Sequence, residues 1–143
     1  MLEDKLYTIN ELAKITNLTD RTIRNYLAKG NLTGIKVGGQ WRFSKDDILK
    51  FFSDSKFECD VKSKTERNML DFYRSNDKNE AFITIKKVMK NRKKLIEMFQ
   101  KIEKVSTSKS KRVSFVDDDG NLTVTIVGDF QEIIDVLSIV KEY

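Results

Sequence analysis

Residues 19–43, TDRTIRNYLAKGNLTGIKVGGQWRF, combine a short basic helix with a glycine-rich pair of strands. Thr19 is a typical N-cap residue, and Gly30 stands where a left-handed residue would end the helix. Three apolar residues between them fall on one helical face: Ile23, Tyr26 and Leu27. The pattern therefore predicts a helix over residues 20–29 that packs through this face.

A second helix is predicted immediately before this stretch. Thr8 and Glu11 have the spacing of a capping box, and apolar residues follow at helical intervals. The pattern breaks at Asn17 and Leu18, so only a few residues connect the two helices. Two helices joined this closely are typical of a helix-turn-helix.

The letters GIKVGGQWRF predict a β-hairpin directly after the second helix. We expect a three-residue loop, Gly38-Gly39-Gln40, with Lys36 and Arg42 together on the outer face. In this register four apolar residues share the buried face: Ile35, Val37, Trp41 and Phe43. A two-residue loop would scatter this apolar set over both faces, which favours the longer loop.

The rest of the chain predicts a second folded unit. Ser44 and Asp47 begin a third helix, which closes an N-terminal domain at residues 1–54. Residues 55–63 are polar with isolated apolar positions and are interpreted as a linker. Residues 64–143 are expected to form a C-terminal dimerisation or regulatory domain.

Two helices are predicted in the first part of this C-terminal domain. The first covers residues 64–76, and the second covers about 80–104, although the letters AFITI by themselves could also form a strand. Four lysines of the second helix are expected to face solvent or a partner: Lys86, Lys90, Lys93 and Lys94. A loop follows at residues 106–111.

The end of the chain predicts a hairpin and a last helix. A turn at Asp119-Gly120 pairs Phe115 with Val124. The final helix, at residues 129–142, carries apolar residues over more than one stripe, which indicates burial on two sides. The fold class is therefore α+β, an N-terminal winged helix-turn-helix plus a mainly helical C-terminal domain containing one β-hairpin.

Composition excludes several kinds of chemistry. The 143 residues include no histidine and a single cysteine, Cys59, so an intrachain disulfide and a finger-type zinc site cannot form. The usual nucleophile–base pairs and a phosphate-cradling glycine loop are absent. We therefore expect no enzyme activity, no catalytic residues, no metal and no cofactor. Without an apolar run of about 20 residues or a signal peptide, we expect a cytoplasmic protein with no membrane contact.

Charge is distributed unevenly along the chain. The net charge is +5, but residues 61–112 hold sixteen basic and six acidic side chains, whereas residues 113–143 hold one basic and seven acidic ones. This asymmetry favours an anionic partner for part of the surface. The alternative interpretation of residues 61–112 is a lysine-rich helix that is simply solvated.

A helix-turn-helix places its second helix in the major groove of DNA. Arginine can bind guanine through two hydrogen bonds, and asparagine can bind adenine in the same way. The candidate DNA-binding residues lie on this helix and on the hairpin, which would act as a wing: Thr19, Arg21, Thr22, Arg24, Asn25, Lys36, Gln40 and Arg42. The alternative is a small helical core with ordinary exposed charges.

Residues 7–52, YTINELAKITNLTDRTIRNYLAKGNLTGIKVGGQWRFSKDDILKFF, also resemble a known family. They look like the excisionase-type, MerR-like winged helix-turn-helix. The letters TIRNY resemble the second helix of that superfamily, and VGGQWRFSKDDI resembles the wing and following helix of its excisionase branch. The resemblance covers about a third of the chain and implies that residues 20–29 and the wing bind double-stranded DNA.

Three functions remain open from the sequence. The first is a transcriptional regulator that acts as a homodimer through residues 61–143, with a protein or a small molecule as effector of the C-terminal domain. The second is an excisionase-like recombination factor that binds and bends DNA. The third is an adaptor whose N-terminal domain delivers a protein-interaction module to DNA.

Overall fold

The chain folds into an α+β arrangement with two antiparallel sheets. The computed structural model describes residues 5–76, 79–89, 91–105, 111–118 and 120–143. Its helices are α1 (Ile9–Thr16), α2 (Asp20–Ala28), α3 (Lys45–Phe52), α4 (Ser55–Arg74), α5 (Leu95–Lys104) and α6 (Phe130–Glu142), with a 3-10 turn at Arg92–Lys94. Its strands are β1 (Ile35–Val37), β2 (Gln40–Arg42), β3 (Glu80–Val88), β4 (Arg112–Asp118) and β5 (Asn121–Asp129). We call α1 to α3 the head and α4 to α6 the tail.

Helix capping in the head follows the sequence prediction. Thr8 and Glu11 form the expected capping box, in which the Glu11 amide donates to Thr8 Oγ1 at 3.1 Å and the Thr8 amide donates to Glu11 Oε2 at 3.0 Å. Helix α1 ends at Asn17, whose φ of +55° is left-handed. Ser44 and Asp47 form the same box at the start of α3. These local signals fix where the helices of the head begin and end.

The β1–β2 hairpin forms, but its predicted register is wrong. The loop consists of two residues, Gly38 and Gly39, and Val37 pairs with Gln40 instead of Trp41. Both glycines have positive φ, +58° and +79°. A two-residue turn of this kind needs positive φ at both positions, which glycine adopts without steric cost. Turn chemistry therefore sets the register, rather than burial of the apolar residues.

This one-residue shift moves the hairpin side chains to different faces. Ile35 pairs with Arg42, and Lys36 pairs with Trp41. Ile35 and Val37, which were predicted to be buried, are 54% and 51% exposed. Lys36 and Arg42 lie on opposite faces of the hairpin, so the prediction that they share one face is also wrong.

Phe43 anchors the hairpin to the rest of the head. It is fully buried and forms a β-bridge with Tyr7 through two backbone hydrogen bonds of 2.7 and 2.9 Å. Gly34 lies directly against its ring, because a Cβ at Gly34 would stand 2.7 Å from Phe43 Cδ1. The chain can pass this close to Phe43 only with glycine at residue 34.

The segment interpreted as a linker is helical. Residues 55–63 form the first part of α4, which continues without a break to Arg74 and includes most of the helix predicted at 64–76. Asp54 caps this helix by accepting hydrogen bonds from the amides of Lys56 and Phe57. The polar residues of 55–63 mark the exposed side of a helix, while Phe57 and Val61 face inward and are buried.

The helix predicted at residues 80–104 is also wrong. Residues 80–88 form β3, and only the last ten residues of the range, α5, are helical. Lys86 lies on the strand, Lys93 and Lys94 lie in the 3-10 turn, and Lys90 is outside the described residues. The expected lysine-rich helical face is therefore absent from the described residues, and the tail is a three-stranded sheet with helices on it.

The tail sheet has the strand order β3-β5-β4. The predicted hairpin register is confirmed, because Phe115 pairs with Val124 and Val113 pairs with Ile126. Gly120, with φ of +90°, belongs to the turn, whereas Asp119 and residues 106–110 of the predicted loop lie outside the described residues. Helix α4 packs on one face of the sheet, and α5 and α6 pack on the other.

An aromatic cluster joins the head to the tail. The ring of Phe115 on β4 stacks on Phe99 of α5 with centroids 3.9 Å apart. Its edge meets Phe52 of α3 at 4.8 Å, and Phe57 of α4 stacks on Phe52 at 6.0 Å. Because these rings come from both parts of the chain, the buried apolar residues form one continuous core. The proposed division into two domains stays a prediction.

Candidate nucleic-acid interface

The helix-turn-helix of the head consists of α1, the turn at residues 17–19 and α2. Thr19 caps α2, since its Oγ1 accepts a 3.1 Å hydrogen bond from the Thr22 amide. The two threonine hydroxyl groups also bind each other at 2.9 Å. Among the predicted DNA-binding residues, Thr19 and Thr22 are therefore already engaged in holding the start of the helix.

Three other predicted residues lie together on the exposed face of α2. Arg21, Arg24 and Asn25 are exposed, and their side chains make no hydrogen bond or ion pair with the described part of the chain. The opposite face of α2 is anchored by Ile23 and Tyr26, which are buried. The result is a helix with one packed side and one free, basic side.

The hairpin presents its polar residues on two faces. On one face Arg42 Nη2 donates a 2.9 Å hydrogen bond to Gln40 Oε1, and its Nη1 donates to the Trp41 carbonyl at 2.8 Å. On the other face Lys36 Nζ lies 5.3 Å from the centroid of the Trp41 ring. The hairpin therefore offers Arg42 in a fixed orientation, with Lys36 on the far side.

Helix α4 lies along the flank of α2. The Tyr26 hydroxyl donates a short hydrogen bond to Asp60 Oδ2, and Lys56 Nζ lies 3.0 Å from Asp60 Oδ1. Burial, followed by the hydrogen bond to Asp60, raises the pKa of Tyr26. Burial alone would raise the pKa of Asp60, but the hydrogen bonds from Tyr26 and Lys56 hold it below its ordinary value. The contact fixes α2 from a direction that the sequence did not predict.

A cleft of about 450 Å³ opens between the helix-turn-helix and α4. On its α4 side, Lys64 Nζ donates a 2.7 Å hydrogen bond to the carbonyl of Asn17, at the end of α1. Burial, together with the charges of Arg67 and Arg112, lowers the pKa of Lys64. Arg67 is exposed at the edge of the cleft. Two basic side chains thus stand next to the turn of the helix-turn-helix.

Lys64 and Arg67 were not among the candidate residues predicted from the sequence. A signal was present, because Asp60, Lys64 and Arg67 are spaced by four and three residues and therefore share one helical face. This spacing was not used because residues 55–63 were interpreted as a linker, so no helix was predicted beside α2.

Two kinds of feature are absent from the described residues. No described group of three or more His, Cys, Asp or Glu side chains is arranged to hold a metal ion. None of the described helices combines the length and the apolar character that crossing a membrane requires.

Comparison with known proteins gives one match, and it lies in the head. Residues 6–55 match the family model described as Helix-turn-helix domain. No curated protein and no solved structure matches the chain. The matched range covers α1, α2, the hairpin and α3, which are the elements that build the exposed basic face. The head therefore contains a helix-turn-helix domain, which supports DNA binding.

Proposed function

We propose that this protein is a sequence-specific double-stranded DNA-binding regulator of transcription that acts as a dimer. One observation carries the proposal. Arg21, Arg24 and Asn25 lie on one exposed face of α2 and have no partner within the described residues. Side chains of these types read guanine and adenine in the major groove, and α2 is the helix that a helix-turn-helix inserts there.

The β1–β2 hairpin acts as the wing of this domain. Arg42 is held toward solvent by Gln40 and by the Trp41 carbonyl, so its remaining donors are available to a phosphate. Lys36 reaches the DNA backbone from the other face of the hairpin. In this proposal the wing supplies affinity that depends on salt, and α2 supplies sequence preference.

Helix α4 extends the phosphate-binding surface. Arg67 is exposed beside the cleft, and Lys64 is fixed at the end of α1 by the Asn17 carbonyl. The first helix of a helix-turn-helix crosses the DNA backbone, and the turn at residues 17–19 directly follows α1. A phosphate held near this turn would meet the positive potential of both side chains, which supports an electrostatic role for α4 in DNA binding.

The tail favours a regulator over the two alternatives. An excisionase needs little beyond the head, whereas this chain carries a folded tail that shares its core with the head. An adaptor would need a tail that moves independently, and α4 instead runs from the head into the tail without interruption. In this proposal the protein binds DNA and catalyses no reaction. It acts in the cytoplasm, and an effector binds the tail.

Selection of DNA by the full-length protein tests the proposal. Random double-stranded DNA is bound at about 150 mM salt, recovered over several rounds and sequenced. We expect enrichment of one motif, present as two related half-sites. If no motif is enriched, sequence-specific binding is wrong. A strong bend in the selected DNA, measured by gel mobility of circularly permuted fragments, would favour the recombination factor.

A further inference from the structure

Strand β3 leaves one edge of the tail sheet open. Within the described residues β3 has a single strand neighbour, β5, to which it pairs over nine residues from Glu80 to Val88. The other edge strand, β4, lies beside the head, where Phe115 contacts Phe52 and Phe57. A long unpaired edge presents a row of backbone donors and acceptors, which is a template for another strand.

An exposed apolar stripe lies on α6 near this edge. Phe130, Ile134 and Leu137 follow one another at helical spacing and are 55%, 54% and 37% exposed. Glu142, on the other flank of α6, pairs with Lys101 of α5 at 3.8 Å. Because α6 packs on β3, β5 and α5, the stripe faces away from α5 and toward the side of the open edge.

We propose that a second copy of this chain pairs with β3 in antiparallel orientation, forming a continuous six-stranded sheet around a two-fold axis at Ile83. This inference rests on the proposed dimer and identifies its surface. A two-fold axis perpendicular to the sheet brings the same edge of both copies together, as closed homodimers require.

Charge complementarity selects the register. With Ile83 opposite the partner's Ile83, Glu80 lies opposite the partner's Lys86, and the pair occurs twice in the dimer. Opposite charges directly across an antiparallel pair stabilise it. A shift of two residues in either direction would place Glu80 opposite Thr84 or Val88, and neither can form an ion pair.

The spacing of the helices fits the same arrangement. Helix α6 contacts both β3 and β5. With its axis midway between these two strands, two copies joined at β3 place their α6 axes two strand spacings apart, which is about 10 Å. Packed helices are separated by about 8–10 Å. The two stripes of Phe130, Ile134 and Leu137 would then cover each other, which accounts for the second apolar side of α6.

Charge reversal tests the proposal in the full-length protein. Glu80→Lys and Lys86→Glu are each expected to weaken the dimer about tenfold in analytical ultracentrifugation, because the two-fold axis makes each change act twice. The double variant is expected to restore the wild-type dissociation constant. Lys93→Glu, in the 3-10 turn, makes the same change of charge as Lys86→Glu and serves as its matched control.

A second measurement is independent of the charges. Ile134→Asp is expected to weaken the dimer without loss of fold by circular dichroism, because the side chain is exposed in the single chain. A dimer in which the double charge variant is no tighter than the single variants would overturn the proposed edge. A wild-type protein that stays monomeric at tens of micromolar, yet enriches a DNA motif, would refute the dimer and leave DNA binding intact.

Discussion

The hydroxyl group of Tyr26 on α2 donates a hydrogen bond to the carboxylate of Asp60 on α4. This contact links α2, the proposed recognition helix, to the first helix of the tail. The Tyr26 ring also meets Phe51 of α3 edge-on, with centroids 5.0 Å apart. The orientation of α2 therefore depends on residues outside the helix-turn-helix itself.

Replacing Tyr26 with Phe tests the energetic weight of this link. The ring contacts remain, so we expect the free energy of unfolding at pH 7 to fall by about 1–2 kcal/mol, the range for a hydrogen bond to a charged group that is partly exposed. Urea denaturation of the full-length protein measures the change. Tyr73→Phe, at an exposed tyrosine of α4, is the control and should have no effect.

The difference between wild type and Tyr26→Phe should depend on pH at both ends of the range. The pKa of Asp60 in the folded protein is below its ordinary value of 3.8. The contribution of ionised Asp60 to the free energy of unfolding is therefore complete above pH 3.8 and is lost as the pH falls through the lowered pKa. The pKa of Tyr26 in the folded protein is raised above its ordinary value of 10.0. The contribution of protonated Tyr26 to the free energy of unfolding is therefore complete below pH 10.0 and is lost as the pH rises through the raised pKa. A difference that is constant from pH 3 to 11 would contradict the assignment.

Variants of the exposed face of α2 should change sequence preference. Arg21→Ala and Asn25→Ala are each expected to cost about 1–3 kcal/mol on the selected site and to relax the preference at one or two base pairs. Fluorescence anisotropy with the selected site and a scrambled duplex measures this. Equal losses on both duplexes would show that Arg21 does not read a base.

Variants of the wing should instead weaken binding to every sequence. Lys36→Ala and Arg42→Ala are each expected to reduce the slope of log affinity against log salt by about one unit, because each removes one phosphate contact. Arg67→Ala on α4 should do the same if the cleft binds a phosphate. Lys62→Ala, whose lysine pairs with Glu58 on another side of α4, is the matched control.

The hairpin core depends on Phe43 rather than on Trp41. Phe43 is fully buried, so Phe43→Ala is expected to destabilise the protein by about 3–5 kcal/mol. Trp41 is only half-buried, and Trp41→Ala should cost about 1–2 kcal/mol. Thermal unfolding followed by circular dichroism compares the two. A larger loss for Trp41→Ala than for Phe43→Ala would contradict this assignment.

An ion pair beneath the head should also matter for stability. Arg92 donates through Nε and Nη2 to Asp117 Oδ2, and its Nη2 donates to Ser53 Oγ at 3.0 Å. The Asp117 side chain is fully buried. Arg92→Ala would leave this carboxylate uncompensated, with an expected cost of about 3–5 kcal/mol in urea denaturation. Lys93→Ala, at the exposed neighbouring residue, should have no effect.

The sequence predicted the elements that local chemistry specifies. The capping boxes at Thr8 and Ser44 predicted the starts of α1 and α3, and Gly120 predicted the turn of the β4–β5 hairpin. The exposure of Arg21 and Asn25 was predicted because the apolar residues of α2 occupy the opposite face of the helix. Each of these signals lies within a few residues of the feature that it determines.

The sequence prediction failed where contacts between residues far apart in the chain determine the secondary structure. Strand β3 contacts both α4 and α6, and its apolar residues Phe82 and Ile85 are three residues apart, a spacing that resembles a helical stripe. Its pairing partner β5 lies about forty residues further along the chain. Likewise, the first part of α4, residues 55–63, was interpreted as a linker because the aromatic rings that bury Phe57 belong to other elements.

Helix α4 is continuous from Ser55 to Arg74, which limits how the head can be fused to another protein. The family match ends at residue 55, yet Phe57 and Asp60 lie beyond it and contact Phe51 and Tyr26. A fusion protein that borrows residues 1–55 would leave these aromatic rings without their cover. A fusion protein that keeps the head folded must therefore include the first turns of α4, to about Lys64. The stable DNA-binding fragment is longer than the segment that the family match covers.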